Sequence, residues 1–224
     1  MKKIVYLVLF VSTLCLGQRG KTTKLGLTTM AELQMTTYEK DTTANAVVLY
    51  EHANLYIDEA NKYVFRTDYY HRVKLFKKEA FDRATIAISL YKSERVEEIK
   101  AITYNLVDGK SIRKVHLLKN NVFKKKTSES WKEVTFTLPN ITEGSVIEYV
   151  YSVLSPYHLL DDWYFQSDIP KVKSEYSSAI LGNWKYNTRL VGYLKLDKDN
   201  PSIKKVVYLY QELVMDLVWC CPME

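Results

Sequence analysis

A chain of 224 residues with 47% hydrophobic and 26% charged residues has the size and composition of one globular domain, which excludes disorder along its whole length. Its formal net charge is +6, but Lys2 and Lys3 lie in a segment expected to be removed. The remaining 30 basic and 26 acidic residues leave about +4, too little to call for a nucleic-acid partner.

Met1-Lys2-Lys3 followed by the apolar run Ile4 to Leu16, broken only by Ser12 and Thr13, reads as a secretory signal peptide over 1–17, cleaved after Gly17. That run is too short to span a bilayer comfortably, so no stable membrane span is expected after cleavage. Leu14 stands before Cys15 where a lipidation site wants a small residue, so lipidation is disfavoured. The expectation is an exported, periplasmic or extracellular protein. Residues 18–43 form a polar, threonine-rich arm in which Leu33 to Lys40 is a candidate short helix.

From residue 44 the texture turns to strands. The 18 tyrosines against only 7 glycines fit pleated sheet, where a ring packs and its hydroxyl reaches water. Ala46 to Ile57, a turn at 58–62, and Tyr63 to Phe76 predict a hairpin. Residues 77–83 predict a helical turn or loop. Thr85 to Tyr91 is a strand, and Val96 to Leu106 turns through Asp108-Gly109 into Ser111 to Leu118. Trp131 to Leu138, the turn PNITEGS and Val146 to Val153 predict a second hairpin, with apolar residues alternating on each arm. Lys171 to Leu181 and Trp184 to Leu196 predict two more strands around Gly182-Asn183. The absence of a βαβ rhythm and the short connections predict a mainly β, antiparallel β-sandwich-like domain over 44–196. Residues 197–224 are expected to be irregular or truncated, the alternative being a final strand or helix packed on the sandwich.

Little of this chain reads as catalytic. After signal cleavage the cysteines are Cys220 and Cys221, whose adjacency strains a mutual disulfide and makes a poor zinc site. No cofactor is implied. His52 and His71 face each other if the first hairpin is in register, a weak metal pair or, more simply, two surface histidines. Asp161-Asp162 beside Trp163 is either a carboxylate pair, with His158 nearby, or an exposed turn. Glu94, Glu97 and Glu98 read as a solvated face. Lys124 to Lys126 suit an anionic surface, or an edge strand guarded against unwanted pairing. The rings of Trp131, Trp163, Tyr164, Phe165, Trp184 and Tyr186 either fill the core or form a peptide- or glycan-binding platform. The candidate ligand or docking surface is therefore Trp131, Asp161, Asp162, Trp163, Tyr164 and Trp184.

The segments WKEVTFTLPNITEGSVIEYVYSV, DDWYFQSDIP and SEYSSAILGNWKYN, with DTTANAVVLYEHANLYI and IKAITYNLVDGK before them, resemble domain of unknown function 3857. The resemblance covers roughly Asp41 to Leu196. It implies the N-terminal β domain of exported bacterial proteins that continue into a transglutaminase-like domain. That partner's chemistry needs a Cys nucleophile with a His and an Asp tens of residues after it. Only three residues follow Cys221, so neither terminal cysteine can take the role. The resemblance thus implies a non-catalytic accessory or binding module, with an absent transglutaminase-like domain as its expected partner. The alternatives are an independent hydrolase near Trp163 and an envelope- or glycan-binding protein.

Overall fold

The computed structural model describes residues 24–221 apart from 182–183, 185, 187–188, 193–194 and 208–210, with residues 200–221 as backbone. Among these residues two sheets face each other. The strands are β1 (Ala46–Asp58), β2 (Val64–Leu75), β3 (Thr85–Tyr91), β4 (Arg95–Val107), β5 (Ser111–His116), β6 (Val122–Lys126), β7 (Trp131–Thr137), β8 (Val146–Ser155), β9 (Ser174–Leu181), β10 (Lys198–Val207) and β11 (Gln211–Cys221). The large sheet runs β10-β11-β9-β1-β2-β8-β4-β5 and the small one β3-β7-β6. All pairs are antiparallel except β1 with β9. The mainly β sandwich is as the alternation predicts.

The first hairpin forms as read, with Ala46 opposite Leu75 and Asp58 opposite Val64. A bulge between Val48 and Tyr50 reverses the alternation. Ala46 and Val48 therefore face the core, and beyond the bulge Glu51 does, opposite His71. The Asp-Gly turn joins β4 to β5 with positive φ at Asp108 and Gly109, a conformation those two residues tolerate best.

Trp131 to Leu138 and Val146 to Val153 are both strands, but they do not pair. β7 lies between β3 and β6 in the small sheet, whereas β8 lies between β2 and β4 in the large one. The loop 138–145, with Asn140 and Gly144 at positive φ, carries the chain across the sandwich. Alternation shows which side chains of a strand are buried, and it is the same whether the partner face lies beside it or opposite it. Here Val134, Phe136 and Leu138 meet Ile147 across the core, packed with Val73, Leu75, Ile88 and Leu90.

Two further expectations change. The described residues between Trp184 and Leu196 contain no strand, and Gly182-Asn183 lie outside the described residues. Residues 197–224 are not irregular throughout: β10 and β11 pair with each other, and β11 pairs with β9 from Leu181 to Ser174. The expected signal peptide also lies outside the described residues.

The N-terminal arm covers the outer face of the large sheet around β1, β2, β4 and β8. Thr29 caps a short helix, α1 (Met30–Gln34), through a reciprocal box in which its hydroxyl accepts from Glu32 N and its N–H donates to the Glu32 carboxylate at 2.7 Å. The helix begins earlier than Leu33 because that box sets its start. Leu33 is buried against Val47, Leu49, Ile102, Tyr104 and Val146. Three charged residues of the sheet hold the arm. Glu148 accepts from Tyr70 Oη at 2.6 Å, from Tyr104 Oη, from Gly26 N at 2.9 Å and from Leu27 N at 3.3 Å. Lys74, 0% exposed, donates to Leu33 O at 2.7 Å and to Gly144 O at 2.6 Å. Arg72 pairs with Glu32 at 3.0 Å.

Candidate binding cleft

Three strands cannot cover the inner face of a sheet with eight. Where the small sheet ends at β3, the inner face of β2 and β8 stays open, and the loop 156–173 comes over it. Between them lies a cleft of about 580 Å³. Its floor is Tyr69, Tyr151 and Val153, one wall is the edge of β3 with Tyr91 and Trp131, and the other is Tyr157, Leu159 and Asp161.

The register explains the floor. Tyr69 stands opposite Tyr151 across β2 and β8, and their rings stack at 4.8 Å. At the mouth, the Tyr91 ring lies 5.2 Å from Trp131 and 5.4 Å from Tyr157. Glu94 fixes this corner rather than facing solvent: its carboxylate accepts from Tyr91 N and from Ser155 Oγ, both at 2.8 Å. Glu97 and Glu98 also have partners, each within reach of Arg66.

Asp161 lines the cleft as an exposed side chain. Among the described residues its carboxylate makes no hydrogen bond or ion pair. Partial desolvation in the cleft, and then the negative charges of Glu94 and Asp162, raise its pKa above the ordinary aspartate value. Burial, joined by the Asp161 charge, raises the Tyr69 and Tyr151 hydroxyls as well. The cleft therefore combines aromatic faces with negative potential.

Beside it, a buried polar chain ties the loop 156–173 to the large sheet. Lys171 Nζ donates to Glu51 Oε1 at 2.7 Å and to Tyr164 O at 2.6 Å. Ser174 Oγ donates to the same Glu51 oxygen at 2.7 Å, and Trp163 Nε1 donates to Ser174 Oγ at 3.1 Å. Burial alone would raise the Glu51 carboxyl, but His71 at 3.5 Å and Lys171 outweigh it and lower its pKa.

The residues expected to form one surface are thus divided. Trp131 and Asp161 meet in the cleft. Trp163 lies behind it as a packed anchor, its ring 6.4 Å from Tyr69 and 6.1 Å from Tyr176. Tyr164 is exposed and contributes its carbonyl to Lys171, and Asp162 is exposed outside the cleft lining. Trp184 belongs to a separate cluster with Phe65, Leu55 and Ile180. His158 packs there too, 4.8 Å from Trp184, with Nε2 3.3 Å from Tyr63 O. It does not converge with Asp161 and Asp162.

His52 and His71 are not a facing pair either. His52 stands opposite Tyr70 and stacks on it at 5.5 Å on the outer face, where it is buried. His71 is one register step away on the inner face, stacked 4.8 Å from Tyr149. No cluster of metal-ligating side chains occurs among the described residues. Lys124 to Lys126 occupy β6, an edge of the small sheet. They line a second groove of about 320 Å³ with Lys92, Arg95 and Lys132, among Glu94, Glu129 and Glu133.

Sequence reading missed Tyr69, Tyr91, Tyr151 and Tyr157, and it placed Glu94 on a solvated face. Tyr69 and Tyr151 occupy ordinary strand positions. Only the inequality of the two sheets leaves them open.

No protein-family model and no curated protein matches this chain. Among solved structures it is similar to a candidate protease from Parabacteroides distasonis, with a TM-score of 0.59 at 13% identity. That match covers 80% of this chain and 35% of the other, so the chain spans about a third of that protein. Such a likeness establishes the fold. A candidate nutrient-binding protein from Legionella pneumophila aligns over 80% of this chain and 68% of its own, at 9% identity and a TM-score of 0.30, which carries no structural argument.

Proposed function

We propose that this chain is a non-catalytic binding module of an exported protein, the accessory β domain that precedes a transglutaminase-like, cysteine-peptidase-like domain. The observation that carries the reading is the cleft at the open side of the sandwich. Its volume of about 580 Å³ is in the range of ligand sites, and its lining brings five aromatic rings and a carboxylate without a partner to one concave surface. Two facts support the wider setting. The motifs from Asp41 to Leu196 resemble domain of unknown function 3857, and the fold is shared with about a third of a longer candidate protease. Export rests on the N-terminal sequence pattern.

The test is to titrate the full chain with a panel of peptides and oligosaccharides and follow tryptophan fluorescence. Saturable binding without turnover is expected, and it should weaken on Trp131→Ala. Hydrolysis or acyl transfer that persists after Cys220→Ser and Cys221→Ser would overturn the reading.

A second reading has one observation behind it, the lysine-lined groove along β6. It predicts binding to anionic vesicles that fades steeply with salt.

A further inference from the structure

One wall of the cleft is not a face of β3 but its edge. Ala87, Ile88 and Ser89 all line the cavity, although successive side chains of a strand point to opposite sides. A cavity touches three consecutive residues only by running along the strand's unpaired side. The hydrogen-bond parity agrees. Ala84 O accepts from Leu138 N at 2.9 Å and Lys92 N donates to Ser130 O at 2.7 Å, so the even-numbered residues bond towards β7. The odd-numbered residues present their N–H and C=O groups to the open side.

Both ends of that open row are closed by the chain itself. Thr85 N donates to Asp82 O. Tyr91 N donates to Glu94, and Tyr91 O accepts from Glu94 N at 2.8 Å. Between them Ala87 and Ser89 are exposed, with no backbone partner on that side among the described residues.

The two edges of the small sheet are treated differently. β6 reads VFKKK, with three lysines of the kind that discourage a further strand from pairing. β3 reads TIAISLY, with neither charge nor proline. The unguarded edge is the one that borders the aromatic cleft.

We infer that the cleft takes an extended peptide segment of another chain, which pairs with Ala87 and Ser89 as an added strand and places a lysine or arginine side chain beside the rings of Tyr91, Trp131 and Tyr157, against Asp161. Main-chain pairing supplies affinity in this mode of recognition, and a side-chain pocket supplies selectivity. A cation is the complementary occupant because it satisfies both halves of the pocket. Aromatic faces attract it through the ring quadrupole, and the unpaired carboxylate attracts it through charge. Tyr91 already draws a cation within the chain, Lys92, whose Nζ lies 5.0 Å from the ring centroid, and an acidic side chain in the cleft meets Asp161 and Glu94 with the same sign.

This inference rests on the binding-module reading, and the experiment separates the two. The probe is an N-acetylated, C-amidated heptapeptide of alternating threonine and valine with arginine at its centre. Companion peptides carry citrulline or glutamate there, and two more carry arginine with alternate backbone nitrogens methylated, one peptide for each of the two registers. Binding to the full chain is measured by calorimetry, and amide exchange is read at Ala87 and Ser89. The arginine peptide is expected to bind at least tenfold more tightly than the citrulline peptide, and Asp161→Asn should reduce that preference to about twofold or less. Exchange at Ala87 and Ser89 should slow on binding, and methylation in one register should abolish binding. Equal affinity for arginine and citrulline, or a preference that survives Asp161→Asn, would overturn the cationic pocket while leaving a binding module standing. Binding without protection at Ala87 and Ser89 and indifferent to methylation in both registers would overturn the edge pairing. If no peptide binds while an oligosaccharide does, the inference falls and the module reading survives; if nothing in either panel binds, both fall.

Discussion

Two carboxylates on opposite sides of the large sheet, one buried and one exposed, have opposite surroundings. On the outer side, Glu148 is fully buried and its carboxylate accepts four donors, two from tyrosines and two from the backbone of the arm. Lys74 on the same side is bound to two carbonyls. On the inner side the buried Glu51 is likewise satisfied, by Lys171 and Ser174, whereas Asp161 stands exposed at the aromatic cleft with no hydrogen bond or ion pair among the described residues. A carboxylate taken from water costs free energy unless hydrogen bonds or charges replace the hydration. The arm supplies that replacement for Glu148. Asp161 keeps its access to water and needs none. Glu148 therefore reads as structure, and Asp161 as a charge left accessible to an external cation.

That contrast fails if Glu148 proves dispensable. Its replacement by alanine should have the largest effect, because Tyr70, Tyr104, Gly26 and Leu27 all lose an acceptor in a buried place. The expected loss is ~3–5 kcal/mol in urea unfolding, the scale of breaking a buried charged network. Released arm residues should also exchange their amides faster. A loss under about 1 kcal/mol would mean that the arm is not held by this carboxylate.

The closed side should also show itself in pH dependence. Burial lowers the Lys74 pKa to about 8 from an ordinary 10.5. Below about pH 8 the lysine is protonated in both states, and the folded state carries the desolvation penalty. Between about 8 and 10.5 only the folded state releases the proton. The unfolded chain then binds more protons, and stability rises with pH. The gain should be on the order of 1 kcal/mol by pH 9. Between there and pH 10 the sign reverses. Burial raises the hydroxyls of Tyr56, Tyr69, Tyr70, Tyr104, Tyr149, Tyr151 and Tyr176, so the unfolded state loses those protons first. Urea midpoints at pH 7, 8, 9 and 10 check the rise and its reversal, and Lys74→Met should remove the rise.

A smaller effect is expected where the loop 156–173 meets the sheet. Trp163→Phe keeps an aromatic ring but removes the hydrogen bond to Ser174 and the pyrrole half of the indole, at a cost of about 1–2 kcal/mol. Because Trp163 backs Tyr69, peptide affinity should fall with it. Unchanged stability and unchanged binding together would show that the loop is held by Lys171 and Glu51 alone.

How much of this was legible follows from what local pattern can carry. The hairpin from Ala46 to Leu75 and the Asp-Gly turn were readable because alternation and turn chemistry act between neighbours in sequence. Partner choice was not, as β7 and β8 show: the same alternation serves two strands side by side or two strands face to face. The capping box at Thr29 and Glu32 was present in the sequence and would have placed α1. Glu148 shares a strand face with Val146, Val150 and Ser152, and the arm folding over that face helps to bury it. Trp131 and Asp161 were named as candidates, but their companions were hidden in ordinary strand positions. The cleft arises from a mismatch of sheet widths, a global quantity with no local signature.

The smallest expected effect is also the one that separates the two sides most cleanly. Asp161→Asn removes a charge that has no partner among the described residues and is disfavoured by Glu94 and Asp162. If the carboxylate were structural, as Glu148 is, its loss would destabilise the fold by several kcal/mol. If it is held ready for an external cation, the fold should not notice. The predicted change is within ~0.5 kcal/mol and, through relief of like-charge repulsion, towards stabilisation. Its size should also depend on pH. The native pKa is raised, so the unfolded chain gives up its proton first, and the penalty that the aspartate places on the fold appears as pH climbs through the ordinary aspartate range and persists above it. The stabilising effect of asparagine should therefore be present at pH 7 and vanish near pH 3. A loss of stability at pH 7 would place Asp161 with Glu148 among the groups that hold the fold, and the asymmetry between the two sides would disappear.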